Sequence, residues 1–186
     1  MPVLPLEPCV FPENLFENIT EASSGRIWWA LHARPQQEKS LARQLYSHNI
    51  PYYLPVVSRR SRIRKRTFTS HNPLFPGYFF LLAEGKERVQ ALATRRIVRS
   101  IEVIDQDRFT RELLQIHKLI SCGAPITPEG RLAVGTLVEI RSGPLAGLRG
   151  KILQTGCLRR FVVEVDFIQK GASVLLEDFW LSPVIP

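Results

Sequence analysis

The sequence predicts an α+β protein with an antiparallel sheet flanked by helices, followed by a small all-β barrel. Strand-forming and amphipathic helical segments alternate as β-α-β-β-α-β from Arg26 and close on a last helix near residue 121. Beyond Cys122–Arg131 (CGAPITPEGR), whose proline and glycine content marks a linker, the pattern changes to short strands separated by glycine turns. At 186 residues the chain has room for two small domains. The expected division is a flexible leader at 1–25, an α+β domain at 26–121, a linker at 122–131 and a barrel at 132–186.

The leader reading rests on several prolines, the absence of periodicity and a polar end at Glu21–Gly25. Arg26–Ala33 (RIWWALHA) is dense in aromatic and β-branched residues and reads as the first strand. Pro35 suits the first turn of a helix whose Leu41 and Leu45 recur at helical spacing, and Asn49-Ile50-Pro51 ends it. Tyr52–Val57 is a second strand, with Pro55 placing it at an edge or a bulge. Tyr78–Leu82 is a third strand, entered through Gly77 and two prolines. Gly85–Arg96 reads as a helix with Val89, Leu92 and Ala93 on its apolar face, and Ile97–Ile104 as a strand. Phe109, Leu113, Ile116 and Ile120 step by four, three and four residues, the spacing of an amphipathic helix. In the barrel, strands are expected at Leu137–Ile140, Lys151–Thr155, Phe161–Phe167 and Ala172–Glu177. A domain of this size buries only about 60% of its unfolded surface, which is enough to fold.

Charge points to a partner. The formal net charge is +8, and an excess of this sign favours polyanions, nucleic acid before membrane. No apolar run approaches the roughly 20 residues that span a bilayer, and the N-terminus lacks the basic n-region of a signal peptide. Cys9, Cys122 and Cys157 are odd in number and far apart, so neither a disulfide framework nor a zinc site is expected. A cytoplasmic, monomeric protein without cofactor or metal follows. His32, His48, His71 and His117 have no carboxylates at catalytic spacing, and Asp105 and Asp107 fit a helix start. No phosphate loop or nucleophile elbow is present. An enzyme is not expected.

The charge is concentrated in one place. Arg59, Arg60, Arg62, Arg64, Lys65 and Arg66 put six cations into eight residues with no carboxylate among them. Such a run must be solvated or face an anion. It is followed by Pro73-Leu-Phe-Pro-Gly-Tyr-Phe-Phe-Leu-Leu82, almost wholly apolar and aromatic. A basic hairpin or loop beside an aromatic sheet is the expected arrangement; a solvated turn before a core strand is the plainer one.

The barrel segment Val138-Glu-Ile-Arg-Ser-Gly143-Pro-Leu-Ala-Gly147-Leu-Arg-Gly150-Lys-Ile152 resembles the KOW motif of NusG-type transcription factors and several ribosomal proteins. With Trp28-Trp-Ala-Leu31, Arg34-Pro-Gln-Gln-Glu-Lys39, Tyr53-Leu-Pro55 and Leu74-Phe-Pro-Gly-Tyr-Phe-Phe80, residues 26–183 resemble the NusG family, with an SH3-like KOW barrel. The Pro-Leu-Phe-Pro-Gly-Tyr stretch looks closest to its specialised RfaH and UpxY-type antiterminators. The resemblance implies an elongation or antitermination factor that docks on the clamp of RNA polymerase. His32, Phe75, Tyr78 and Phe80 would then form the polymerase-binding surface. Arg59, Arg60, Arg62, Arg64, Lys65 and Arg66 would contact DNA of the elongation complex near the upstream fork, with Arg34 and Lys39 extending the basic surface. Phe167 and Ile168 would carry the barrel's contact with a ribosomal protein or Rho. Phe79 is expected in the core. The RfaH barrel refolds to a helical hairpin; here β-prone Phe161–Asp166 and the glycine-rich motif argue against it. The housekeeping member of the family, a KOW-type ribosomal or RNA-binding protein, and an interaction adaptor are the readings left open.

Overall fold

The computed structural model describes residues 8–19, 25–63, 66–123, 125–129, 135–140, 143–155, 158–175 and 181–183. The chain divides into two compact units, Met1–Gln106 and Asp107–Pro186. The sequence placed its domain boundary after residue 121; here the segment 107–121 groups with the second unit.

The first unit is built on a five-stranded antiparallel sheet in the order β1-β3-β6-β2-β7. Its strands are β1 (Val10–Phe11), β2 (Ile27–Ala33), β3 (Tyr52–Tyr53), β6 (Tyr78–Ala83) and β7 (Ile97–Glu102). Between β3 and β6, β4 (Val56–Ile63) and β5 (Arg66–Pro73) form a separate two-stranded hairpin. The break at Leu54-Pro55 follows from the proline, which cannot donate to a ladder. Register sorts the side chains into two faces, because partners in a ladder share a face and successive residues alternate. Trp28↔Leu82, Ala30↔Phe80 and His32↔Tyr78 lie on one face, and Trp29↔Leu81 and Leu31↔Phe79 on the other.

Helices cover the second of these faces. In α1 (Glu38–Ser47), Leu41, Ala42 and Leu45 point inward as their spacing predicts. They join Leu31, Tyr52, Phe79 and Leu81 in one buried core, and Phe79 is the core residue the sequence anticipates. The helix starts three residues later than Pro35 suggests, because Gln36 takes a left-handed φ of 60° that no helix residue adopts. The second helix, α2 (Gly85–Ala93), starts on a reciprocal capping box between Glu84 and Glu87. Its inward residue is Ala91, whereas Val89 is 62% exposed and Leu92 and Ala93 also face out. At about 3.6 residues per turn Ala91 lies nearly opposite Val89, Leu92 and Ala93, so the face expected to be buried is the outward one.

Residues 8–19 differ most from expectation. Read as part of a flexible leader, they instead add an edge to the sheet, with Val10↔Tyr53 and Phe11↔Tyr52 in register. The Leu54 N–H donates to the Cys9 carbonyl at 2.6 Å, and the Tyr52 hydroxyl donates to the Pro8 carbonyl at 2.9 Å. Leu15 is fully buried. Phe16 meets Tyr53 edge-on at 5.0 Å and stacks on Trp28 at 6.4 Å. Four apolar side chains offset the entropy of ordering this short segment, which proline-rich composition alone does not reveal.

The second unit holds α3 (Gln106–Ser121), of which the first residue lies in the other unit, and a six-stranded antiparallel sheet ordered β13-β9-β10-β11-β12-β8. Its strands are β8 (Ile126–Glu129), β9 (Thr136–Ile140), β10 (Arg149–Thr155), β11 (Leu158–Val165), β12 (Lys170–Leu175) and β13 (Leu181–Pro183). This is the small all-β domain the sequence predicts. Within the expected linker, residues 126–129 pair with β12, because Ile126 and Thr127 have strand propensity and an open edge beside them. Phe161, Val162 and Val163 are all fully buried, so the middle of β11 is covered on both sides. Gly150 is required where β10 crosses β11: a Cβ there would collide with the Val162 carbonyl and lie 2.8 Å from the Phe161 ring.

Candidate functional site

On the sheet face opposite α1 and α2, His32 of β2 sits between Tyr78 of β6 and Arg99 of β7 in register. The His32 and Tyr78 rings meet edge-on at 4.8 Å. His32 and Arg99 are exposed and Tyr78 is half-buried. Three neighbouring strands thus present imidazole, phenol and guanidinium in one row, a polar-tipped aromatic surface of the type that anchors protein interfaces.

The turn before β6 fixes this row. Gly77 has φ +82°, and a Cβ on it would lie 3.4 Å from His32 Cε1. Its N–H donates to Glu38 Oε1 at 2.9 Å, and its carbonyl accepts the Ala33 N–H at 2.8 Å. The Tyr78 N–H closes back on the Phe75 carbonyl at 3.0 Å. Glu38 is nearly buried, so a carboxylate at the start of α1 clamps the turn that aims Tyr78. Sequence reasoning missed both Glu38, which looks like an ordinary helix-start acid, and Arg99, whose place in the row depends on register.

Two residues expected on this surface are buried. Phe75 is 1% and Phe80 0% exposed. Phe80 pairs with Ala30 and Tyr53 and lies 6.3 Å from the Tyr53 ring. Burial of large rings within the sheet outweighs their use at its surface, so His32 and Tyr78 are the accessible members of the set.

The basic run lies in the β4–β5 hairpin. The Leu74 N–H donates to the Pro55 carbonyl at 2.8 Å and closes its base beside the Gly77 turn. Backbone register sets Arg59 opposite Ser70, Arg60 opposite Thr69, Arg62 opposite Thr67 and Ile63 opposite Arg66. Arg64 and Lys65 lie outside the described residues. Near the base, the Ser58 hydroxyl and His71 Nδ1 are 3.0 Å apart. No carboxylate occurs between residues 56 and 73, so the local field is uniformly positive. Arg34 and Lys39 are exposed, while Arg96 is tied to Gln37 and Gln44 at 2.6 and 3.0 Å.

In the second unit, the turn Asp166–Ile168 leaves Phe167 37% exposed, whereas Ile168 is only 7% exposed. The expected outward position of Ile168 fails because the 3₁₀ turn breaks strand alternation after Val165. Among the described residues, no group of His, Cys, Asp and Glu could hold a metal ion, and no helix is long and apolar enough to cross a membrane.

No curated protein matches the chain. A solved structure entitled "Crystal Structure of MjSpt4:Spt5 complex conformation B" aligns at 15% identity, over 85% of this chain and 98% of that one, with a TM-score of 0.29. The family described as "NusG: Transcription termination factor nusG" matches residues 26–113, the stretch that holds the His32–Tyr78 row, the Gly77 turn and the basic hairpin. Residues 26–113 are therefore a NusG-family domain.

Proposed function

We propose that this protein is a non-catalytic transcription elongation factor that docks on the RNA polymerase clamp and suppresses pausing or termination. The observation that carries the reading is one turn serving two surfaces. The Leu74–Gly77 connection closes the cationic hairpin at one end and aims Tyr78 beside His32 at the other. A protein that grips polymerase with the aromatic row while holding DNA with the adjacent guanidiniums binds the closed, elongating state in preference to the open one. Preferential binding shifts the population toward that state. Arginine suits the DNA role because its planar fork matches phosphate and stacks on exposed bases. Phe75 and Phe80 are buried beside the row, and Phe167 is the barrel's contact for a second protein, a ribosomal protein or Rho. The Pro-Leu-Phe-Pro-Gly-Tyr stretch favours a specialised antitermination paralog, acting as a monomer in the cytoplasm.

Retrieval of nuclease-treated core RNA polymerase by the purified chain tests the reading. Tyr78→Ala with His32→Ala abolishes retrieval while the fold persists. Reversal of Arg62, Arg64 and Arg66 to Glu preserves retrieval but removes crosslinking to upstream DNA. Sedimentation with ribosomes in place of polymerase would instead assign the hairpin to RNA.

A further inference from the structure

Strand pairing adds a histidine to the cationic hairpin. His71 stands directly opposite Ser58, and at every second rung beyond it Arg60 faces Thr69 and Arg62 faces Thr67. Residues two apart on a strand share a face, so these three rungs belong to one face of the ribbon. Arg59, Arg66 and Asn72 belong to the other. On the side of the hairpin base, the next rung of the first face is Val56 opposite Pro73. Ser58 is exposed and His71 half-buried, and the Ser58 hydroxyl lies 3.0 Å from His71 Nδ1. Among the described residues this is the imidazole's one hydrogen bond, and Nε2 has no partner.

A hydroxyl both donates and accepts. It donates to Nδ1 of a neutral ring and accepts from Nδ1–H of a protonated one, so the pair survives a change of charge. In both forms Nε2 carries its hydrogen, and the ring keeps one orientation. Imidazole is also the side chain that gains its charge between about pH 8 and pH 5. No carboxylate occurs between residues 56 and 73, so a proton on this ring adds to the field of Arg60 and Arg62 instead of being neutralised. Like charges on one face repel, and an anion laid along the face relieves the repulsion. Alternate rungs recur about every 6.7 Å along a strand, a regular row that suits a chain of phosphates better than a single ion.

We propose that His71, oriented by Ser58, is a further phosphate contact of the hairpin, which extends the Arg60–Arg62 face to the hairpin base and tightens its hold on DNA as the ring gains a proton. The proposal rests on the reading of this hairpin as the DNA contact. Nothing in the run of six cations signals it, because His71 joins their face only through the pairing of β5 with β4.

Binding of the intact chain to a short labelled DNA duplex, without polymerase, tests it at about pH 8 and about pH 5.5 over a range of salt. Comparison of each variant with the parent cancels the contribution of the other histidines. Between the two pH values the parent gains about five- to tenfold more affinity than His71→Ala at about 0.1 M salt, the weight of one added phosphate contact. Its slope of log affinity against log salt also steepens by about 0.9 more. His71→Gln, which donates but cannot ionise, matches the parent at the higher pH and His71→Ala at the lower. Ser58→Ala leaves the charge in place and keeps the steeper slope, but loses part of the gain in affinity because the ring is no longer held. Equal pH dependence in the parent and His71→Ala would overturn the proposal. Reversal of Arg62, Arg64 and Arg66 to Glu, measured alongside, separates the two readings. If it leaves affinity unchanged, the hairpin is not the DNA contact and both fail; if it weakens binding while His71→Ala keeps the parent's pH dependence, the role of His71 alone fails.

Discussion

Leu15→Ala tests whether the segment before β2 belongs to the fold. Leu15 is fully buried, and its neighbour Phe16 is held against Tyr53 and Trp28. Truncation removes three buried carbons, about 2.4 kcal/mol at about 0.8 kcal/mol per methylene, and leaves a cavity that adds to the loss. A total of about 3 kcal/mol is expected. For a unit of roughly 100 residues this lowers Tm by about 12–24 °C. Trp28 and Trp29 report on the first unit by fluorescence, and a Trp180→Phe background removes the remaining tryptophan. Glu13→Ala, at an exposed position of the same segment, is the control and stays within about 0.5 kcal/mol. If Leu15→Ala also stays within that margin, residues 8–19 only rest on the sheet, and the edge they supply contributes nothing to its stability.

Other expectations concern charge and sterics. Glu87 is held below the usual carboxylate range chiefly by its hydrogen bond with Arg26, at 2.7–2.8 Å. It therefore stabilises the first unit above the unfolded pKa, and this advantage disappears as pH falls through the folded one; Glu87→Gln destabilises at neutral pH and matches the parent in acid. Burial holds Glu112 above that range, so the sign reverses. Its contribution is full below the unfolded pKa and is lost as pH rises through the folded value, and Glu112→Gln is neutral or stabilising at pH 7 by chemical denaturation. Gly150→Val collides with the Val162 carbonyl and the Phe161 ring; the second unit unfolds while the tryptophan-monitored transition of the first is retained. If the hairpin neutralises about four phosphates, log affinity for duplex DNA falls against log salt with a slope near −3.6, and reversing Arg62, Arg64 and Arg66 flattens it.

Much of the molecule was legible from residue order alone, because patterns with a fixed period declare themselves locally. The alternation around Phe161, the three-and-four spacing of Leu41 and Leu45 and of Phe109, Leu113 and Ile116, and the proline break at Pro55 all became the elements they predicted. So did the unbroken positive charge of the hairpin. Tertiary structure decided what depends on partners distant in the chain. Residues 8–19 lack periodicity, and their order comes from Tyr52 and Tyr53, some forty residues away. Phe75, Phe80 and Tyr78 are alike as aromatic residues, yet the packing around them buries two and leaves Tyr78 beside His32. Glu38 becomes a clamp only because the Gly77 turn arrives against it, and Phe167 turns outward only because a 3₁₀ turn ends its strand. Local spacing fixes which way a side chain points from its own backbone; what it meets there is set by the packing of the whole chain.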